Sequence, residues 1–460
     1  MYKSSNDAKN LQGSVIELIP IALPIFFSQA IDVAMVFVDR YFLAQLGKEE
    51  LAATLSGGLL TYLITTLMFG ILGQIISLVG QYIGAKQPKE AIKTVHQGLL
   101  LTVLVTPCIF LLSYFFSPKL FLLFGHENDL YQNELKYFHI LSLTVITTPL
   151  RLVFANFFIG IGKTSIVTIA SLLGVLLNIP ISYILVFGKH GFPKLGIEGA
   201  ATGTILSSVL PIIILTIQFY SKRYRTDYNT ATKFRFQCAI LTKLIRYGLP
   251  SGIEMLVNLS GFLFFTMTMY SYSSDVAAST TIVLNWDMVC FIPLLGISQA
   301  VSGQVGKYLG ERNKDLALKS SWSALKIGWI YSFFITIVYF TFTNSLVNLF
   351  ISGEEFSSYK KVVYYGTIML KISCAYFIFD STYSILGGIL KGSGDTIWTM
   401  IMSSSIMWTF AILIFFLKNQ FSISPILSWI VLTCMVLTLG IVYMVRFLRK
   451  KWLLRLMIKD

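Results

Sequence analysis

The stretch Leu23 to Gly47, LPIFFSQAIDVAMVFVDRYFLAQLG, is apolar enough to cross a lipid bilayer, yet it contains Asp32 and Asp39. A carboxylate in hydrocarbon costs on the order of 3 kcal/mol, so it persists where it faces a helix-bundle interior or a water-filled cavity. The two aspartates are two helical turns apart, about 10 Å along one face. We therefore expect this face to line an aqueous pocket. The alternative for Asp39 alone is an ion pair with Arg40 at the membrane interface.

Composition extends this interpretation to the whole chain. Its 460 residues are 55% hydrophobic and 13% charged, whereas soluble domains have roughly 25% charged residues. Segments of about 20 apolar residues, each long enough to cross a bilayer, recur along its length. The sequence therefore predicts an all-α integral membrane protein. The polar N-terminus leads into a full-length span, so we expect no cleavable signal peptide.

We expect about twelve transmembrane helices in this chain. Their approximate limits are 16–43, 51–79, 94–116, 136–157, 165–187, 199–220, 245–270, 277–304, 319–343, 362–387, 397–417 and 423–446. Lysine and arginine are roughly three times as frequent on one side of this arrangement as on the other, which predicts that both termini are cytoplasmic. The same rule explains the net charge of +14 without any nucleic-acid partner.

The two halves of the chain repeat each other. VGQYIGAKQPKEA, from Val79, matches VGKYLGERNKDLA, from Val305, and GIGKT at Gly160 matches GSGDT at Gly392. With six spans in each half, the repeats are parallel and related by an axis along the membrane normal. Such paired bundles are a common basis for alternating access. We therefore expect three regions: an N-terminal lobe (1–220), a cytoplasmic linker (221–246) and a C-terminal lobe (247–460).

Prolines mark candidate moving helices. Pro24 and Pro250 occupy matching positions in the first and seventh spans, and a polar residue follows each proline eight residues later, Asp32 or Asn258. Proline frees a backbone carbonyl and lets a helix bend. The alternative is that each proline opens its helix in the first turn, where proline is tolerated. Pro180 predicts a more central kink in the fifth span.

Asp380 is the most informative single residue of the C-terminal half. It lies in the middle of an apolar span, with Tyr376 one turn earlier. Apolar surroundings make its charged form costly, so it can take up a proton. With hydroxyl and carbonyl oxygens beside it, it can instead hold Na⁺. The alternative is a buried acid that is neutralised by a partner such as Lys371.

Two further acids lie within spans of the C-terminal half. Glu254 precedes Asn258 by one turn on the same helix face, which makes it a second candidate for cation coupling. Asp287 is a candidate for the substrate cavity. Its alternative role is to satisfy neighbouring backbone groups or solvent.

Signals of an enzyme are missing from the sequence. There is no GxxxxGK[ST] phosphate-binding loop and no H-E-x-x-H motif, and the five cysteines and four histidines have no metal or disulfide spacing. We expect no cofactor and no structural metal, only a coupling ion. Apolar walls with a few acids suit amphipathic organic cations, through burial and cation–π contact.

Taken in order, several motifs resemble those of the multidrug and toxic compound extrusion (MATE) transporters, most closely the NorM-like bacterial branch. The resemblance covers nearly the whole chain. It rests on FVDRYFLAQLG (37–47), VHQGLLL (95–101), GIGKT (160–164), LLNIPISYILVFG (176–188), LGIEGAATGT (195–204), YGLPSGIEM (247–255) and the region 379–396.

The resemblance implies two pseudo-symmetric six-helix lobes in a V shape, and drug efflux driven by inward H⁺ or Na⁺. The family's first-span aspartate falls on Asp39, and its tenth-span aspartate and tyrosine fall on Asp380 and Tyr376. Its fifth-span asparagine and sixth-span threonine fall on Asn178 and Thr204. Na⁺ at Asp380 or Asp39 is therefore one expectation.

The sequence departs from the family pattern at three positions. The seventh-span glutamate of NorM-like members is replaced by Asn258, and Glu254 is its candidate substitute. In several relatives an acid follows the fifth-span asparagine by one turn, where this chain has Ser182. The family's VDT is VDR here, which places Arg40 beside Asp39. The first departure weakens a Na⁺ assignment in the C-terminal lobe.

Our leading hypothesis is a cation-coupled multidrug efflux antiporter of a bacterial inner membrane. Its expected partners are small-molecule drugs and the lipid bilayer, and its expected state is a monomer. The alternatives are a lipid or oligosaccharide flippase of the wider superfamily, and a non-transporting sensor or scaffold on the same fold. The mid-membrane acids argue against a scaffold, because they cost stability without a function.

Overall fold

The computed structural model describes residues 11–123, 128–350 and 359–458, which fold into helices without any strand. Eleven helical segments are long and apolar enough to cross a membrane, and a bent helix pair supplies a twelfth span. The prediction of about twelve spans is confirmed. The helices are α1 (Val15–Ala44), α2 (Lys48–Gly84), α3 (Pro88–Leu123), α4 (Asn128–Leu141), α5 (Thr144–Gly160), α6 (Ser165–Phe187), α7 (Ile197–Phe219), α8 (Lys222–Tyr228), α9 (Cys238–Tyr270), α10 (Ser274–Gly310), α11 (Lys314–Asn348), α12 (Lys360–Ser373), α13 (Phe377–Ser393), α14 (Thr396–Phe421) and α15 (Pro425–Leu448).

The fourth and tenth spans are interrupted at matching places, which was not predicted from the sequence. The fourth span consists of α4 and α5, separated at Ser142 and Leu143, and the tenth consists of α12 and α13, which meet at 55° around Tyr376. Neither break contains proline or glycine, so no sequence signal marked it. The second break places Tyr376 and Asp380 at the start of α13, inside the bundle.

Two six-span lobes divide the helices between them. Helices α1 to α7 form the N-terminal lobe and α9 to α15 form the C-terminal lobe, and α2 packs extensively against both α9 and α10. The expected pair of pseudo-symmetric bundles is confirmed. We call the end where α2 and α10 finish the basic end, because most of the lysines and arginines assigned to the cytoplasmic side lie there.

The repeated glycine motifs pack against each other at the basic end. A Cβ atom on Gly84 would overlap the backbone oxygen of Lys307, and one on Gly310 would overlap that of Gln81. Small residues allow two membrane helices to approach at backbone distance. The VGQYIG and VGKYLG repeats therefore form a close contact between the lobes, to which each half contributes the same motif.

The connection between the lobes is shorter than predicted. Helix α9 begins at Cys238, so the last residues of the predicted linker 221–246 are already helical. Before it, α8 packs Tyr224 against Phe158 of α5. The extended segment that follows is held by Gln97, whose side chain donates to the Arg235 carbonyl at 2.9 Å. The connection is thus fixed to the N-terminal lobe.

Candidate functional site

Asp39 lies in a buried polar site within the N-terminal lobe. Its helix α1 packs against α6, and the side chain is only 6% exposed. Thr204 of α7 donates a hydrogen bond to Asp39 Oδ2 at 2.7 Å. Asn178 and Ser182 of α6 face the same carboxylate and are hydrogen-bonded to each other at 3.2 Å. Asp39, Asn178 and Thr204, which the family resemblance marked one by one, therefore meet in one site.

This site has acceptor atoms without donors. Asp39 Oδ1 and Asn178 Oδ1 are buried and have no hydrogen-bond partner among the described residues. Arg40, the alternative partner of Asp39, is exposed and forms no ion pair with it among the ion pairs of the described residues. An unpaired acceptor inside a lobe costs free energy unless a proton or a cation reaches it.

Asp32 lies deeper on the same helix but in a different environment. The Arg151 guanidinium of α5 contacts both carboxylate oxygens, at 3.2 and 2.9 Å. Arg151 also donates to Ser171 Oγ at 3.2 Å, and Ser171 hydrogen-bonds Ser28 of α1. The pair joins α1, α5 and α6. Asp32 was predicted to line the substrate cavity. In the structure its negative charge is compensated by Arg151 of the same chain, and its role in the cavity stays a prediction.

In the C-terminal lobe, Asp287 and Asp380 come together across α10 and α13. Tyr376, at the break before α13, donates a hydrogen bond to Asp287 Oδ2 at 2.6 Å. The Asp287 carboxylate is close enough to that of Asp380 for their charges to repel. Lys371, the alternative partner of Asp380, is exposed, and Asp380 forms no ion pair among the described residues. Asp287 Oδ1 likewise has no hydrogen-bond partner among them.

Glu254 is compensated, in contrast to this acidic pair. Its carboxylate forms an ion pair with Lys391 at 3.1 Å and accepts a hydrogen bond from Thr399 at 2.9 Å. Both partners lie towards the basic end of their helices. Glu254, the candidate substitute for the family's glutamate, is thus neutralised by a lysine of the same chain, Lys391. Its proposed role in cation coupling stays a prediction.

Asn258 belongs to a separate, neutral cluster. Its amide nitrogen contacts Ser403 Oγ at 3.1 Å and the Tyr383 hydroxyl at 3.5 Å. Asn258 Oδ1 is buried and lacks a hydrogen-bond partner among the described residues. The structure therefore separates Asn258 from Glu254, although the two lie one turn apart on α9.

The three prolines lie inside their helices. Pro24 is within α1, Pro250 within α9 and Pro180 within α6. The alternative that Pro24 and Pro250 open their helices in the first turn is wrong, because Pro24 is the tenth residue of α1 and Pro250 is the thirteenth residue of α9. Thr168 donates to the Pro24 carbonyl at 2.6 Å. The role of the prolines in bending stays a prediction.

The partners of these acids were not predicted from the sequence. Nothing in the sequence analysis assigned a contact to Arg151, Tyr383, Ser403 or Lys391. One signal was available. The alignment that pairs GIGKT with GSGDT also pairs Arg151 with Tyr383 and Ser171 with Ser403.

Comparisons with known proteins agree with this architecture. The probable multidrug resistance protein NorM of Thermotoga maritima is 25% identical over 457 residues, 95% of this chain and 92% of the relative. The protein of the same name from Photorhabdus laumondii is 28% identical over 385 residues, 83% of this chain and 82% of the relative.

Solved structures share the fold. A MOP superfamily transporter from Pyrococcus furiosus superposes with a TM-score of 0.86 at 19% identity, over 99% of this chain and 100% of that one. An outward-facing multidrug resistance MATE family transporter superposes with a TM-score of 0.86 at 20% identity, over 98% and 99%.

A family model covers most of both lobes. The MatE model matches residues 24–184 in the first lobe and 250–417 in the second. These ranges contain the Asp32–Arg151 pair, the Asp287–Asp380 pair and most of the Asp39 site. With the twelve-span fold and the two-lobe repeat, they show that this chain belongs to the MatE family of membrane transporters.

Proposed function

We propose that this protein exports amphipathic, cationic organic compounds from the cytoplasm in exchange for inward H⁺ or Na⁺, by alternating access between its two lobes. The NorM relatives are named as probable multidrug resistance proteins, which supports drug efflux. The coupling ion and the class of substrate are the parts of the proposal that depend on the site.

The observation that carries the proposal is the acidic pair Asp287 and Asp380. Both lie inside the C-terminal lobe, Tyr376 binds one of them, and neither has a cationic partner among the described residues. Two carboxylates that repel each other in a shielded site hold a proton or a cation at lower cost than two bare charges. A cationic drug and the coupling ion then compete for the same carboxylates, which is a simple basis for antiport.

The Asp39 site is a second candidate binding site for a proton or a cation, in the N-terminal lobe. It too combines a buried carboxylate oxygen with an unpaired amide oxygen, Asn178 Oδ1. Carboxylate and carbonyl oxygens are ligands for small hard cations, and a single carboxylate is enough for a proton. No step of the proposal needs both sites to bind the same ion.

The conformation supports an outward-open state if the basic end is cytoplasmic. Among the described residues, every side-chain hydrogen bond between the lobes lies at the basic end, for example Ser77 to Ser302 at 2.9 Å and Gln81 to Gly392 at 3.1 Å. The positive-inside rule favours placing this end in the cytoplasm of a bacterial inner membrane. The first and last described residues, Leu11 and Ile458, then lie on that side.

The orientation has a direct test. Thr226, in α8 of the connection, is exposed. A Thr226→Cys variant without the native cysteines should react with a membrane-impermeant maleimide in inside-out vesicles but not in intact cells. Labelling in intact cells would overturn the topology.

Transport is tested in proteoliposomes that contain the purified protein. An imposed pH or Na⁺ gradient should drive the movement of a cationic dye, and the gradient that works identifies the coupling ion. Matched vesicles with a collapsed gradient are the control. A flippase or a scaffold would give no gradient-driven dye movement, and that outcome would reject the proposal.

A further inference from the structure

The chain after the last span folds back under the basic end. Lys450 adopts a left-handed conformation, which reverses the chain before the short 3₁₀ turn Lys451–Leu454. Trp452 is fully buried, stacks on Phe447 and donates to the Phe447 carbonyl at 3.0 Å. These contacts fix the terminal segment to the C-terminal lobe.

An ion-pair cluster fixes the same segment further along. Asp395, fully buried at the start of α14, binds Arg446 of α15 at 2.7 Å and Arg455 of the terminal segment at 2.8 Å. One carboxylate therefore holds the segment against two helices.

The next residues reach the other lobe. Met457 is 2% exposed, and its backbone N–H donates to Gln81 Oε1 of α2 at 3.0 Å. Gln74 of α2 contacts the Met457 sulfur at 3.3 Å. A segment anchored in the C-terminal lobe thus also contacts the N-terminal lobe.

The two glutamines also bind α13 directly. Gln74 donates to the Lys391 carbonyl at 2.7 Å, and Gln81 donates to the Gly392 carbonyl at 3.1 Å. They are two helical turns apart and share one face of α2. Both side chains are buried, so these bonds are shielded from water.

We propose that Gln74, Gln81 and the segment Lys451–Ile458 form a latch that holds the basic end closed and determines how often it opens. This inference rests on the proposed alternating access, because opening at the basic end separates α2 from α13 and from the terminal segment. All of the contacts above that cross between the lobes must then break. Gln74 and Gln81 are positioning residues of the transport cycle, not binding residues for the drug.

The latch is one-sided, unlike the glycine contact beside it. When the VGQYIG and VGKYLG motifs are aligned, Gln74 corresponds to Ala300 and Gln81 to Lys307. The second repeat therefore has no matching pair of glutamines. Symmetric helix packing would not need such a pair, so its presence on one side points to a specific task.

The test measures the distance between the lobes at the basic end. Spin labels are placed at Lys89→Cys in α3 and Lys314→Cys in α11, both exposed, in a background without the native cysteines. Gln81→Met removes both of its bonds at nearly constant volume. Met457→Pro removes the N–H that donates to Gln81. Without drug or ion gradient, Met457→Pro should raise the population of the longer distance roughly tenfold, the factor expected for one lost buried hydrogen bond. Gln81→Met should raise it further, because it loses two such bonds.

Gln304→Met is the matched control. Gln304 is also a buried glutamine near the basic end, but it accepts its hydrogen bond from Ser320 within the same lobe, at 2.7 Å. It should leave the distance unchanged. Unchanged distances in both latch variants would overturn the proposal, and so would an equal shift in the control. If Gln81→Met fails to fold, Met457→Pro decides the question.

The same experiment separates the two proposals. The distances are measured without substrate, so they report on the latch whether or not the protein moves a dye. A shift in the latch variants without gradient-driven transport by the wild-type protein would reject the proposed function alone. Transport with no shift would reject the latch alone.

Discussion

The two lobes have related backbones but place their acidic residues at unrelated positions. With the VGQYIG and VGKYLG motifs aligned, Asp39 of the first lobe corresponds to Phe265, which is buried among apolar residues of the second. In the other direction, Asp287 corresponds to Thr61. With GIGKT and GSGDT aligned, Asp380 corresponds to a threonine as well. The repeat therefore preserves the helix packing, whereas each lobe has its own polar site.

One cluster is shared in position but not in charge. The Asp32, Arg151 and Ser171 cluster of the first lobe corresponds residue by residue to Asn258, Tyr383 and Ser403 of the second. The first is an ion pair and the second is a set of neutral hydrogen bonds. The same three helix positions are thus joined by two kinds of polar contact. Both clusters hold three helices together, so this role is common to the two lobes. The acids without a cationic partner in the described part of the chain, Asp39, Asp287 and Asp380, each occur in one lobe only.

The largest effect is expected at Asp380, which has no acidic counterpart in the first lobe. Asp380→Asn keeps the size of the side chain and removes its titratable charge, so gradient-driven dye efflux in proteoliposomes should fall to background. Thr148→Val changes the corresponding position of the first lobe and should leave transport intact. Wild-type efflux with undiminished ion dependence in Asp380→Asn would remove Asp380 from the mechanism and shift coupling to Asp39 or Glu254.

Glycine substitutions test whether the two repeated motifs contribute equally to the contact between the lobes. Gly84→Ala and Gly310→Ala each place a methyl group against a backbone oxygen of the other lobe. Each should lower the free energy of unfolding by about 1–3 kcal/mol, the usual range for overpacking, and the two losses should be equal. Thermal unfolding in detergent measures this. Gly73→Ala, in open space on α2, is the control and should cost nothing. Unequal losses would show that the contact is not symmetric.

The Asp32–Arg151 pair tests where the lobes differ in charge. Arg151→Met leaves a carboxylate uncompensated among α1, α5 and α6. It should destabilise the protein by about 2 kcal/mol, less than for a fully buried pair because both side chains are partly exposed. The double variant Asp32→Asn with Arg151→Tyr copies the neutral cluster of the second lobe and should recover most of the loss. Thermal unfolding of both variants decides. No recovery would mean that the two clusters are not interchangeable.

The smallest effect is expected at the Tyr376 hydroxyl. Tyr376→Phe removes the 2.6 Å hydrogen bond to Asp287, and should change the ion concentration for half-maximal transport about tenfold. Tyr331→Phe is the control, because that hydroxyl donates to the Cys290 backbone at 3.1 Å and not to a carboxylate. An equal change in both variants would indicate general loosening of the lobe. No change in Tyr376→Phe would show that its bond does not tune the acidic pair.

Much of the fold was predictable, because a bilayer imposes its thickness on every span. Apolar segment lengths gave the number of spans, and the repeated motifs gave two lobes. The breaks near Ser142 and Tyr376 were not predictable, because no proline or glycine lies at either of them. The start of α9 was missed for a related reason. Lys243 and Arg246 interrupt the hydrophobic pattern there, so the first two turns of the helix were not joined to the apolar segment.

The sequence by itself determined which side chains are costly in a membrane. Asp32, Asp39, Glu254, Asp287 and Asp380 stand out on hydropathy alone, because the cost of a charge in hydrocarbon does not depend on the fold. Only the tertiary structure decided which of them are compensated. Arg151 and Lys391 lie far along the chain from the acids that they neutralise, Asp32 and Glu254. Such contacts depend on how distant helices pack, so charge and spacing along the chain do not specify them.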